Sequence, residues 1–588
     1  MAKAVAQRSR GRSTALLRSH PTAAAAILIF LLAISVRLGY WLEVRGTALD
    51  RWHEWDQTDM ATYLAQARQL PEDWLASEPY HPYHGWQKRW PPEKWIEWYG
   101  PHVFHQAPAY SYLLALFGLL LRDPLPWIKI LQIVIGAGTC VLVLRIASRL
   151  AGLMAGCAAG IAAALYGPLL YLEPQLLREG PALFGVLAVL LLLLRAVERD
   201  PESGRQTWIS SLVLGGSLGV LAMFHEMAAI VGTVTVIALA VHHGRSAVSR
   251  AALALAALVL GWAVGFAPLL ARNLAVGAPP LSVSCRARID FVEANEAGAA
   301  RGGAAFSEPG ESVGAILDAS GGSVLGILAG VWTSYRGDLG LILRHWSTRC
   351  AAIWQRPESA DNTSYYLYRN LTRTLAALPT FALLFPLGLA GAVVVLAGRM
   401  GWVAWPSGAL QALWVRSVSD HRVLALYVFA VAGALSLVHT VARFRLFVVP
   451  VFWIYAGVLV AWLVASLRAR RSTAVAIGIG AVLVGLGLQQ LVPRGLTYTA
   501  PRPSDYVMAS ALSLRAGDYP FAVRVAEDAL RHDPGNGAYF ANLAGRHERD
   551  GHRELAIEYY RRALRIEPEL RAAEQGLARL TGRGGSDR

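Results

Sequence analysis

Apolar runs of about twenty residues, repeated along most of the chain, leave few folds open. A bilayer core about 30 Å thick needs roughly 20 residues of helix to cross it, and the backbone polar groups must be satisfied inside the segment. Runs at 22–43, 125–146, 150–171, 176–197, 208–224, 227–243, 251–271, 373–398, 423–440, 446–467 and 473–492 meet that requirement. They predict an all-α, polytopic helical membrane protein with about eleven spans. Composition agrees, since 55% of the 588 residues are hydrophobic and only 16% are charged, against about 25% charged in soluble domains. The formal charge of +15 resides mostly in arginines at short hinges between runs. That pattern fits topology control and excludes a nucleic-acid face.

Orientation follows from those hinges. Residues 1–21 are basic and precede the first run, with no small-x-small cleavage pattern after it; Tyr40 and Trp41 suit an interfacial belt. They read as a cytoplasmic segment before an uncleaved anchor. The segment 107–121, APAYSYLLALFGLLL, is short for a span and is expected to lie along the interface. Arg145/Arg149, Arg195/Arg199/Arg205, Arg245/Arg250, Arg399/Arg416/Arg422 and Arg468/Arg470/Arg471 then all fall inside, as the positive-inside rule requires. The transmembrane domain is 22–492, with extracytoplasmic loops 44–124 and 272–372, and the tail 493–588 also lies outside. Cys285 and Cys350 share the second loop, where an oxidising compartment permits a disulfide; spacing leaves their pairing open. Cys140 and Cys157 fall within spans.

The tail repeats itself. Aligning 504–537 with 538–571 superposes Gly517 on Gly551, Ala522 on Ala556, Ala529 on Ala563, Leu530 on Leu564 and Pro534 on Pro568. A 34-residue period with small residues at helix crossings resembles the tetratricopeptide repeat, whose stacks bind protein partners. A helical hairpin that merely packs on the membrane domain is the plainer alternative.

Four groups of residues invite chemistry. Asp56 and Asp59 stand in HEWDQTDMATYLAQARQL, just where the chain leaves the first span. A helix over 57–70 would set Asp59 in its first turn, on one face with Tyr63, Ala67 and Leu70. An ionised carboxylate there serves either as a general base or as a plain helix cap. YLEPQLLREGP, residues 171–181, brings Glu173, Arg178 and Glu179 to the same outer side. Lys129, Arg272, Arg443 and Arg445 are cations on the side where the charge rule disfavours them. A phosphate would compensate them, because arginine binds phosphate in a forked manner; contact with anionic headgroups is the alternative. His225–Glu226 lacks the second histidine of HExxH, because Ala229 occupies that place, so a zinc protease is discounted. There is no Walker loop or GxSxG, and GGSLG lies inside a span, where small residues serve helix packing.

Six loose motifs in order resemble the bacterial polyprenyl-phosphate-dependent glycosyltransferases of the GT-C class, relatives of the protein O-mannosyltransferases and the lipid A aminoarabinose transferase. They are TDMATYLAQARQL, APAYSYLLALFG, WIKILQ, REGPALF, GFAPLLARNLAVG and ARFRLFVVPVFWIYAG, and they cover roughly 22–470. The resemblance implies a multi-pass enzyme of the bacterial inner membrane that moves a hexose or pentose, with inversion, from a polyprenyl-phosphate donor to an extracytoplasmic protein, lipid or glycan. By resemblance Asp59 matches the catalytic aspartate better than Asp56, and Glu179 or Glu173 matches the second acid. Lys129, Arg272, Arg443 and Arg445, with His225, match positions near the donor phosphate. Tyr63, His102, His105 and Arg178 are the expected substrate contacts, with the aromatic loop 80–105 shaping the acceptor side. The chain departs from the pattern at His225–Glu226, where the family has Arg or Lys before Pro or Gly, and at Phe447, where it has Pro. No cofactor is required, although a divalent metal stays open. A lipid-linked polysaccharide ligase or polymerase, and a non-catalytic scaffold presenting the repeats, are the alternatives.

Overall fold

Every regular element among the described residues is a helix. The computed structural model describes residues 21–78, 91–100, 102–198, 204–244, 247–299, 311–402, 418–438, 440–492 and 501–582. Most of the basic N-terminus, positions 79–90 of the aromatic loop, Arg199, Arg245, Arg416 and the tail's start at 493–500 lie outside them.

Ten of the described helices are long and apolar enough to cross a membrane. One, Pro124–Ala164, has 41 residues and breaks at Ala151 and Gly152, where Gly152 takes φ 82°. The chain doubles back there: a Cβ at Gly156 would strike Ser148, and one at Gly160 would touch Leu144. Its two limbs correspond to the expected spans 125–146 and 150–171, so ten helices with one folded double give the eleven limbs read from the sequence. The second limb ends early, at Ala164, and the short helix Gly167–Leu172 continues it.

Glycine sets how closely these helices approach. Gly204–Phe224 and Val248–Val276 touch backbone to backbone; a Cβ on Gly215 would lie 2.0 Å from the Leu258 carbonyl and one on Gly261 2.1 Å from that of Leu212. Lipid gives no hydrophobic drive for helix pairing, so close van der Waals contact must supply it. The surface helix Ala109–Leu120 has 12 residues, about 18 Å at 1.5 Å per residue, too short to span. It anchors through buried Tyr110, edge-on to Tyr63 at 5.1 Å.

The bundle's two ends differ in chemistry. At one, Arg149 joins three hinges by binding Asp420 at 2.5 Å, Glu198 at 2.6 Å and the Leu194 carbonyl at 2.8 Å. The helix Glu179–Ala196 has 18 residues and so carries the chain about 27 Å to the other end. There Asp59, the 171–181 hinge, His225 and Arg443 are found.

The described residues of the tail form five helices, Pro503–Ala516, Tyr519–His532, Ala538–Arg549, Arg553–Ile566 and Arg571–Thr581. Gly517 and Gly551, matched in the repeat, both take left-handed φ, 72° and 80°, as a residue ending a helix in that conformation requires. All four cysteines are free, so the 285–350 disulfide is not made. The Cys285 thiol is buried toward the His105 carbonyl, while Cys350 sits on the helix Leu339–Ile353.

Candidate active site at the acidic mouth

Asp59 opens the helix Asp59–Gln69, but it is not the cap. Thr58 has the extended backbone of a cap, and its hydroxyl accepts from the Ala61 N–H at 3.2 Å. With that role taken by Thr58, the aspartate is free to face a cleft. Its Oδ1 accepts from Gln106 at 2.8 Å; its Oδ2 accepts from Asn362 at 3.1 Å and lies 2.6 Å from the Arg443 guanidinium. Asn362 also accepts the Asp59 N–H at 3.1 Å, closing a two-way clasp. Even so, 18% of the Asp59 side chain is exposed.

Arg443 gathers three acids. Besides Asp59 it binds Asp361 at 2.6 Å and approaches Glu179 at 3.5 Å. These come from the first loop, the second loop and the start of a span. Glu179 is buried, and its Oε2 accepts no hydrogen bond. Burial alone would raise the Asp59 pKa; Arg443, Arg286 and the Asn362 bond outweigh it and hold the carboxyl well below the usual range. Burial raises Asp361 instead, with Arg443 opposing. Two carboxyls on one guanidinium are thus shifted in opposite directions.

The cleft is lined by Asp59, Tyr63, Gln106, Arg178, Glu179, Arg286, Asp290, Val441, Arg443 and Phe444. Arg178 is held by Glu226 at 2.9 Å, whose other oxygen accepts from Ser284 at 2.6 Å. Arg286 is steadied by Asp290 at 2.6 Å, one turn along its helix, and approaches the His105 ring at 3.4 Å. Three guanidiniums therefore face a cleft that Val441 and Phe444 make apolar on one side.

Several expected site residues are engaged elsewhere. Asp56 is exposed and borders a separate hollow with His53, Glu54 and Arg68. Glu173 turns inward to Arg37, 2.6 Å from its Nε. Gly136 is what makes room, since a Cβ there would lie 1.9 Å from Glu173 Oε1. Lys129 binds the Asp50 carboxylate at 2.5 Å and its carbonyl at 2.9 Å. Arg272 donates to the carbonyls of Leu75 at 2.7 Å, Ala76 at 2.5 Å and His102 at 2.6 Å, and stacks over Phe104. It clamps the first loop. His102 belongs to that clamp, with its ring on the Ser77 carbonyl at 2.8 Å. Arg445 binds Glu358 and the carbonyls of Gln355 and Pro357, pinning the 353–358 turn. His225 is buried beside the Phe447 ring at 4.9 Å. Of the expected set, Asp59, Glu179, Arg443, Tyr63 and Arg178 line the cleft, and His105 reaches it through Arg286.

Gln106, Arg286, Asp290, Asp361 and Asn362 join the site without having stood out in the sequence. Asp361 and Asn362 stand in ESADNTSYY ahead of an apolar run, and that polar island is their one signal. Among the described residues, no group of three or more His, Cys, Asp or Glu side chains is arranged to hold a metal.

No family model and no curated protein matches the sequence. Similar solved structures include the archaeal oligosaccharyltransferase AglB from Archaeoglobus fulgidus in complex with an inhibitory peptide and a dolichol-phosphate. It is 13% identical over 86% of this chain and 59% of that one, with a TM-score of 0.44. The Archaeoglobus fulgidus oligosaccharyltransferase in the apo form is 13% identical over 85% and 59%, with a TM-score of 0.42. The chain spans about 59% of the length of these structures.

Proposed function

We propose that the acidic mouth transfers a sugar from a polyprenyl-phosphate donor to an extracytoplasmic acceptor. One observation carries this: a partly exposed Asp59 shares a cleft with Glu179 and with three guanidiniums, at a bundle end suited to the headgroup level. A sugar on a lipid phosphate already bears a good leaving group, so no nucleotide pocket is needed. Asp59 takes the proton of the acceptor hydroxyl as the acceptor oxygen bonds to the anomeric carbon. The bond from that carbon to the phosphate oxygen breaks on the opposite face, and the configuration inverts.

Because Arg443 depresses its basicity, Asp59 removes the proton late, when the acceptor oxygen has already turned acidic by bonding. Arg178 and Arg286 replace the expected Lys129, Arg272 and Arg445 as partners of the departing phosphate. In a partly dry cleft each such contact is worth more than in water. The tail, by its repeat, would recruit a protein partner or the acceptor.

The test compares lipids and glycans of cells with and without the protein by mass spectrometry, then restores it as wild type or Asp59→Asn. Wild type should consume a polyprenyl-phosphate sugar and modify an acceptor, while Asp59→Asn accumulates in the membrane without doing so. Full restoration by Asp59→Asn rejects sugar transfer at this cleft. A transferred mass of many sugar units would instead favour a polysaccharide ligase.

A further inference from the structure

The first described residues of the tail form a device aimed at the cleft. In PRPSD, residues 501–505, the proline after Arg502 favours extended backbone before it, and Arg502 has φ −79° and ψ 152° as the cap of the helix Pro503–Ala516. Asp505, fully buried in the first turn, accepts from the Arg502 N–H at 2.7 Å, from its Nε at 3.1 Å and from its Nη2 at 2.8 Å. Backbone and guanidinium are thereby fixed before anything else is touched.

That guanidinium donates to the Asp361 carbonyl at 2.7 Å and the Asn362 carbonyl at 3.4 Å. These are the residues whose side chains hold Arg443 and clasp Asp59. On the same tail helix Arg515 lies over the Trp55 ring at 5.6 Å. Trp55 precedes Asp59 by four positions, and its carbonyl accepts from Thr58, the cap that frees Asp59. Both segments that build the acid pair are therefore braced from the tail.

We infer that Arg502 is a positioning residue: the C-terminal domain sets the catalytic geometry of Asp59 by fixing the 361–362 turn. This rests on sugar transfer at Asp59. It makes the tail a part of the catalytic unit through this one contact.

The test uses the full chain, restored to cells lacking it, and compares Arg502→Ala, Arg502→Lys, Asn370→Ala and Asp59→Asn. Asn370 is a control, because it binds Asp528 of the tail at 3.1 Å and is not part of the cleft. Arg502→Ala should lower the modified acceptor at least tenfold per folded molecule. Arg502→Lys, which keeps the charge but cannot span Asp505 and the carbonyls together, should recover part of it, and Asn370→Ala should stay within twofold of wild type. Hydrogen exchange on the purified proteins should speed up across 359–364 in Arg502→Ala while the tail helices keep their protection. Unchanged exchange there, an active Arg502→Ala, or an equal loss in Asn370→Ala overturns the positioning role while leaving sugar transfer standing if Asp59→Asn is inactive. An active Asp59→Asn removes both.

Discussion

Two acid–guanidinium clusters lie at the same end of the bundle and differ in charge balance and access. Arg37 and Glu173 form a one-to-one pair, each side chain 1% exposed, with Gly136 hollowed to admit them. Arg443 meets three carboxylates, one of them 18% exposed, at the edge of a cleft. The first is balanced in charge and sealed, which is what stability demands of a buried pair. The second has more acid than base and is open, which is what chemistry demands of a catalytic carboxylate. Burial of charge in a membrane protein therefore does not by itself mark a site. Stoichiometry and access separate the two.

The comparison breaks if both clusters respond alike to mutation. The largest contrast is expected between Asp59→Asn and Glu173→Ala. Asp59→Asn should cut sugar transfer by about 10²–10⁴-fold, the usual loss of a general base, with thermal stability in detergent close to wild type. Glu173→Ala should leave Arg37 buried and unpaired at a cost of about 3–5 kcal/mol, seen as lower folded yield and melting temperature. The molecules that do fold should still transfer sugar. Replacing both partners, Arg37→Met with Glu173→Leu, should recover most of that stability, since a well-packed apolar pair is often as stable as a buried ion pair. A stable Glu173→Ala with lost transfer would move Glu173 back into the site.

A smaller effect sharpens the role of the cleft cations. Arg286→Ala should raise KM for the lipid-linked donor roughly tenfold, the worth of one charge-assisted phosphate contact. Arg272→Ala should instead loosen the first loop, visible as faster proteolysis within 44–124. Equal donor KM changes in both would mean that Arg272 also meets the phosphate.

The fold is legible in the sequence because lipid imposes a length on every span, and the helix Ala109–Leu120, with 12 residues, is too short to be one. One span pair is two helices joined at Ala151 and Gly152, where the backbone leaves the helical region, and Gly156 and Gly160 let the second limb pack back on the first. The candidate cleft is half legible. Asp59, Glu179 and Arg443 stand out as charges beside apolar runs. Lys129, Arg272 and Arg445 stand out equally and prove to hold loops, because sequence shows a cation but not the carbonyls it will meet. Asp361 and Asn362 are hidden for the converse reason: a polar pair in a long loop looks solvated until Arg502, some 140 positions on, fixes it in place.

The least effect concerns acid and again divides fold from function. His225 is buried beside the Phe447 ring, and its Nδ1 accepts the Met227 N–H at 3.1 Å, which places the single ring proton on Nε2. A second proton would have to displace that hydrogen bond. Burial first, then Arg178 and Arg443, lower its pKa from 6.5 to about 3, with Glu226 opposing. The folded state thus refuses a proton that the unfolded chain accepts below pH 6.5. Its contribution to stability is complete above that value and erodes as pH falls toward 3. His225→Gln should flatten the decline in melting temperature between about pH 6.5 and 4 by a few degrees. Asp59 behaves otherwise: its carboxyl stays ionised across this window, so the acid limb of transfer should not follow the stability curve. If His225→Gln removed the acid limb of transfer and left the melting curve alone, the histidine would belong to the cleft's chemistry and not to its walls.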